Sequence, residues 1–268
     1  MYNKLLTSAL VLSFAASVPT LAAADGPATT AVTPDLEAIL SPLLNQTPRR
    51  FPSVFGIPSG VGPQGNTGFV ALTLVNPREG VSGEGWDGDL SLGYTLGDAV
   101  ENLGFTFGVN VTSLEDNFGD DGAFFLSASR QIASSGANKT YLGLQAANLG
   151  GWGDAEEDDE AVSATVSHLT SFNAAGGDVP VQFSLGYGQD TVVEDDGSGD
   201  KDDGVFLGVG FGITENFGAS ASATQNQLNL GVGFSITNLP NIGFSAGVFD
   251  VTDNTERRQF SFTAAFAF

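Results

Sequence analysis

From about residue 68 onward, apolar and polar side chains alternate with a period of two. Leu90, Leu92, Tyr94 and Leu96 share one parity against Ser91, Gly93 and Thr95. Phe105, Phe107, Val109 and Val111 stand against Gly104, Thr106, Gly108 and Asn110. Leu228, Leu230, Val232 and Phe234 repeat the pattern, and the chain ends on Phe260, Phe262, Ala264, Phe266 and Phe268 against Gln259, Ser261, Thr263, Ala265 and Ala267. Successive side chains of a strand point to opposite faces, so each run separates two environments. Such runs fall at 68–76, 88–97, 103–112, 122–132, 140–149, 161–171, 179–188, 204–213, 217–225, 227–237, 241–250 and 258–268. They predict about twelve strands, within a range of about ten to fourteen. Many have the length of about 9–11 residues that crosses a bilayer when tilted. A hydrophobic strand at the bare end of a soluble chain would be an exposed edge; a closed barrel has none.

The connections carry a second pattern. Odd-to-even connections, at 77–87, 113–121, 150–160, 189–203, 226 and 251–257, are mostly longer than the even-to-odd ones at 98–102, 133–139, 172–178, 214–216 and 238–240. The longer set holds most of the acid: Glu115, Asp116, Asp120 and Asp121, then Asp154, Glu156, Glu157, Asp158, Asp159 and Glu160, then Glu194, Asp195, Asp196, Asp200, Asp202 and Asp203. Long outer loops, short inner turns and an even strand number fit an up-and-down barrel with both termini on the inner side.

Alternation alone also fits a secreted β-sandwich or β-solenoid. The make-up of the polar parity separates the two. A sandwich surface carries Lys, Glu and Arg, whereas here it is Ser, Gly, Thr, Asn and Gln, with charge crowded into the loops. That distribution suits a lumen crossing a membrane, with the apolar parity facing lipid.

The first residues agree. Lys4, the apolar run Leu5–Ala16 and small residues at Ala22–Ala24 read as a signal peptide over 1–24, cleaved before Asp25. Residues 25–66 form a separate N-terminal segment ahead of the 67–268 barrel. Thr33, Pro34 and Asp35 read as a helix start. Leu36, Ile39, Leu40 and Leu43 follow at helical spacing, so a short helix is expected over 34–44, with Pro42 able to end it early. The Pro- and Gly-rich stretch 45–66, with Arg49 and Arg50, reads as an extended linker lying in the periplasm or plugging the lumen. The chain has no cysteine, 36 Gly, 21 Phe and a net charge of -22. Such acidity excludes nucleic acid as a partner, because phosphates would be repelled.

At the closing strand the chain resembles the outer-membrane β-barrel proteins of Gram-negative bacteria, in the broad porin-like sense. Ser261, Phe266 and Phe268 match that family's C-terminal assembly signal, with Thr263 where Gly is usual. The resemblance covers 68–268. It implies an outer-membrane location, outer-membrane lipid around the barrel and the barrel-assembly machinery as a transient partner.

Candidate chemistry is sparse. His168 invites comparison with barrel phospholipases, whose context is His-x-Ser-Asn-Gly; here His168-Leu169-Thr170-Ser171-Phe172 lacks the nucleophile position and the Asn-Gly, and no enzyme activity is expected. The 196–204 run alternates acids and glycines, but counting from Asp196 places Lys201 and Leu207 where an EF-hand needs Gly and Glu. Weak Ca²⁺ or Mg²⁺ association with the acidic loops is the most it offers, and no cofactor is expected. Trp86 and Trp152 fall at the outer rim, as interface aromatics do.

The small inward parity is the more telling set. A barrel larger than eight strands does not fill itself with side chains. Either water occupies the space or residues 25–66 enter it, with Arg49 and Arg50 as the candidate lumen plug in an otherwise neutral lumen. The expectation is an outer-membrane channel for passive diffusion of small hydrophilic solutes. Asp154, Glu156, Glu157, Asp158, Asp159, Asp195, Asp196, Asp200, Asp202 and Asp203 would form a cation-preferring pore mouth. The alternative is a structural or surface-interaction barrel that presents acidic loops above a closed lumen.

Overall fold

The computed structural model describes residues 53–77, 86–112, 118–156, 160–174, 177–194 and 201–268. Its strands are β1 (Thr67–Val75), β2 (Asp87–Gly97), β3 (Gly104–Thr112), β4 (Asp121–Ser135), β5 (Asn138–Trp152), β6 (Ala161–Ala174), β7 (Gly177–Val193), β8 (Lys201–Thr214), β9 (Phe217–Ala223), β10 (Leu228–Ser235), β11 (Ile242–Phe249) and β12 (Gln259–Ala267). Each pairs antiparallel with its sequence neighbours, and β1 pairs with β12 to close an up-and-down barrel of twelve strands. The expected helix over 34–44, the signal peptide, Arg49 and Arg50 lie outside the described residues.

The seam is set by side chains as well as by the ladder. Phe69 faces Ala267 and Val75 faces Ser261. Gly68 and Phe268 exchange both backbone hydrogen bonds, each 2.9 Å, so the ladder continues past β12 to the last residue. The Thr73 and Thr263 hydroxyls meet at 2.8 Å on the lumen side. Thr263 therefore has a local role in the seam, as the hydrogen-bond partner of Thr73. Ser261 is buried inward, while Phe266 and Phe268 face out with stacked rings 5.9 Å apart. The end of the barrel holding Gly68 and Phe268 is called the terminal end below, and the opposite end the loop end.

The outward face is a continuous apolar surface. Leu72, Leu92, Phe107, Leu126, Leu144, Val166, Leu185, Leu207, Leu230 and Phe266 are all exposed, while Thr73, Ser91, Thr106, Ser129, Ser167, Ser184, Ser222, Ser245 and Thr263 on the opposite parity are buried. This is an inside-out distribution for a water-soluble domain and the expected one for a barrel in lipid. Trp86, 57% exposed, meets Phe260 edge-on at 6.3 Å near the loop-end rim, and Trp152 packs beside Phe124 at 5.8 Å.

β4 to β8 run longer than the alternation indicates, and this revises three expectations. Asp202 and Asp203 lie in β8 rather than in a loop, beyond a register shift between Gly188 and Val192 of β7. Asp121 begins β4. Residues 150–152 continue β5, and the connection after it opens with a 3-10 turn at Gly153–Glu156.

Large inward rings stand over inward glycines on neighbouring strands. Phe69 pairs with Gly93, Phe125 with Gly108 and Phe206 with Gly186. A Cβ on Gly93 would lie 2.0 Å from the Phe69 ring and 2.8 Å from the Phe107 carbonyl oxygen. Gly93→Ala is accordingly expected to destabilise the barrel by about 1–3 kcal/mol, the usual range for overpacking. Denaturant titration of the refolded protein checks this. Adding Phe69→Leu to the same chain should recover part of the loss, because the two positions share one space.

Candidate functional site

With the outward strand face turned to lipid, the lumen is the strand face that can meet a solute, and it is the candidate site. Its wall is mostly small and polar, as the alternation predicts. It is not fully neutral, because Asp87 and Asp89 also face inward and are buried. The Asp87 carboxylate accepts a hydrogen bond from the Gly88 amide at 2.7 Å. That departs from the neutral wall expected from sequence.

Residues 53–66 run inside this wall. At the deep end of the segment, Phe55 is 1% exposed; its amide donates to Ser220 Oγ at 3.0 Å, and Ser222 Oγ donates to its carbonyl. Its ring lies 4.6 Å from that of Phe249 and rests on Gly231 and Gly247. A Cβ on Gly231 would come 2.3 Å from Phe55 Cβ, and one on Gly247 would come 2.4 Å from the ring tip. Val54 and Ile57 pack against Phe206 and over Gly208. These contacts lie on β8 to β11.

The segment then crosses to the other side. Gly60 N donates to Ser167 Oγ at 2.9 Å, and the Ser59 and Ser167 hydroxyls are 3.3 Å apart. Gln182 Nε2 donates to Ser59 Oγ at 3.3 Å, and Ser167 and Ser184 hydroxyls pair at 2.8 Å. The backbone of Gly60 lies against inward Gly143 of β5, where a Cβ would sit 2.8 Å from Gly60 Cα. Val61 joins Tyr141, Leu169 and Ala99 in an apolar cluster, with Val100 against it. Near the terminal end the backbone itself pairs with the β2–β3 turn. Ala99 N donates to Pro63 O at 2.7 Å, Gly65 N donates to Gly97 O at 2.7 Å, and Gln64 bridges Asp98. Gln131 N in turn donates to Ala99 O at 2.6 Å, which ties the turn to β4.

The inward glycines of β3, β5, β8, β10 and β11 thus make the room through which this segment passes. Sequence reading registers those glycines as small lumen residues. It does not register Val54, Phe55 and Ile57 as their occupants, because an extended Pro- and Gly-rich stretch has no periodicity of its own. The nearest signal is the apolar trio itself, inside what otherwise reads as linker.

Of the expected mouth residues, Asp154 and Glu156 sit on the 3-10 turn, where the Asp154 amide donates to Asp121 Oδ1 at 2.8 Å. Asp202 and Asp203 sit at the loop end of β8. Glu157, Asp158, Asp159, Asp195, Asp196 and Asp200 lie outside the described residues. Among the described residues no group of three or more His, Asp or Glu side chains is placed to hold a metal ion. The connection after β11 is folded around Asp250, whose carboxylate accepts from Thr255 N at 2.8 Å, Thr255 Oγ1 at 2.7 Å and Asn254 N at 3.1 Å. These bonds make a local turn lock.

His168 lies on the outward parity toward the terminal end. Its Nδ1 meets Thr140 Oγ1 at 2.9 Å across the β5–β6 ladder. Thr170, two positions on, bonds Asn138 instead.

No family model matches the chain, and no curated protein matches it. Solved structures do resemble it. The KdgM porin in complex with disordered oligogalacturonate superposes with a TM-score of 0.48 at 8% identity, over 76% of this chain and 99% of that one. Omp33 of Acinetobacter baumannii gives 0.48 at 10% identity, over 75% and 98%. The COG4313 outer membrane channel from Pseudomonas putida F1 gives 0.46 at 9%, over 78% and 97%. A likeness this remote carries no functional argument.

Proposed function

We propose that this chain is an outer-membrane channel of a Gram-negative bacterium for passive diffusion of small hydrophilic solutes, closed in the described state by its own residues 53–66. One observation carries the reading: the wall is mostly small polar residues and glycines from strands all round the barrel, and a separate stretch of chain, with Val54, Phe55 and Ile57, supplies much of the bulk that fills it. Twelve strands enclose more space than their own side chains fill, and a wall of polar groups around that space is one that water can wet when the segment is absent. Vacated, the wall offers Ser, Thr, Asn and Gln groups to water, with Asp87 and Asp89 near the loop end. That sign of charge, with the acids of the outer loops, favours cations over anions.

The competing reading, a surface-interaction barrel with a permanently closed lumen, is favoured by the burial of Val54, Phe55 and Ile57. Fully buried side chains of this kind contribute about 1.5–3 kcal/mol each relative to exposure. The full chain should therefore be shut most of the time under either reading. Proteoliposome swelling separates them. Vesicles holding a variant lacking residues 25–66 should swell in isosmotic small sugars and amino acids, and vesicles holding the full chain far less. A folded deletion variant that admits neither solute would favour the anchor.

A further inference from the structure

We infer that residues 53–66 are two mechanical parts: a fixed pivot at 61–66 and a releasable gate at 53–60, latched by Phe55. This rests on the channel reading above and names how that channel is regulated.

The two parts are held by different chemistry. The pivot is joined to the barrel backbone to backbone, through Pro63 to Ala99, Gly65 to Gly97 and the Gln64–Asp98 bridge. It is also continuous with β1, where Thr67 N donates to Thr95 Oγ1 at 3.1 Å. Releasing it would give up those backbone pairings to the β2–β3 turn together. The gate makes a different set of contacts. Its hydrogen bonds to the wall run to polar side chains: Ser220 and Ser222 for Phe55, Ser167 for Ser59 and Gly60, and the Gln182 amide for Ser59. Water can replace each of those partners with little net loss. The wall it leaves is a polar surface that water can wet.

What water cannot replace is the apolar contact. Phe55 is its largest element, with Gly231, Gly247 and Phe249 forming a socket shaped to the ring. Gly56, at φ +80°, turns the chain directly beside it, against Asn229 and Phe249. The latch lies across the lumen from the pivot, so swinging the gate about 61–66 would clear the cross-section without unfolding a strand. The apolar latch fixes the closed state, and the polar remainder lets the gate leave it.

The test uses the full chain, which has no native cysteine. Phe55→Ala should raise the open probability in planar bilayers by roughly tenfold or more, as expected when a large ring is deleted from its socket. Adding Ser59→Cys and Ser167→Cys places two thiols where two hydroxyls now stand 3.3 Å apart, close to bonding geometry. Oxidation with diamide should then silence the Phe55→Ala channel, and a reductant should restore it. The single Ser59→Cys variant should not respond to either reagent. Two results would overturn the gate. One is a silent Phe55→Ala protein alongside a conducting deletion of 25–66. The other is conduction that persists after the disulfide is shown to have formed. Silence of the deletion variant as well would instead remove the channel reading on which the gate rests.

Discussion

Leu185→Arg is expected to lower the stability of the refolded barrel by about 2–4 kcal/mol, the cost of an arginine facing lipid near the bilayer midplane. Leu185 is the central residue of β7, is 56% exposed, and has Leu207 and Val166 as its cross-strand partners. In a water-soluble barrel the same change would place a charge in solvent at an exposed position. It would then fall within about 0.5 kcal/mol of neutral. Position and environment are thus separated by one substitution. Trp86→Arg, at the rim, should cost only about 0–1 kcal/mol, because the penalty falls away toward the interface. Reversible unfolding in lipid vesicles, followed by the tryptophan that remains in each variant or by gel mobility, measures both. A neutral Leu185→Arg would contradict the lipid-facing assignment of the outward parity.

That parity was the most legible part of the chain. Phe260 to Phe268 alternate without a break, and β12 occupies that stretch with the apolar set outward. β2, β3 and β11 begin and end within a residue of where their alternation does. Legibility fails where strands pass beyond the apolar band. The ends of β4 and β5 around Ser134 and Lys139 continue the hydrogen-bonded ladder in polar sequence, and those of β7 and β8 continue it beyond a register shift, where Val192 and Val193 are both buried. Past the apolar band the two faces no longer meet different environments, and the period-2 signal has no cause. Asp202 and Asp203 read as loop for that reason.

The occupied lumen was harder to read, for a different reason. A segment lying across a barrel satisfies its backbone from many strands, one residue at a time. Phe55 takes its partners from β9, β10 and β11, and Gly60 from β5 and β6. No local spacing encodes such a path. What the sequence does contain is the complement: glycines at 143, 208, 231 and 247, each on the inward parity and each under the segment. They indicate free volume for either water or residues 25–66, and the structure puts residues 53–66 there. The inward rings of Phe69, Phe125, Phe206 and Tyr141 take more of it.

The largest functional effect expected is from removing residues 25–66. With the segment in place, Ser167, Gln182, Ser222 and Asn229 are each 2% exposed or less, although all four point into the lumen. Each has a hydrogen bond to the segment or to a residue that bonds it. Without the segment these groups need water, and a lumen ringed by them fills. The strand ladder does not depend on the segment, because β1 is paired with β2 from Thr67 and with the closing strand from Gly68 onward. The shortened chain should therefore still close as a barrel, with some loss of stability from the missing contacts at Phe206 and Tyr141.

Planar-bilayer recording of the protein lacking residues 25–66, beside the full chain, tests the central claim of a polar lumen shut by its own N-terminal segment. The expected result is stepwise, ohmic conductance from the shortened barrel, with a reversal potential in a salt gradient that favours cations, against rare openings from the full chain. A shortened barrel that refolds, migrates as a closed barrel on gels and still passes no current would contradict it.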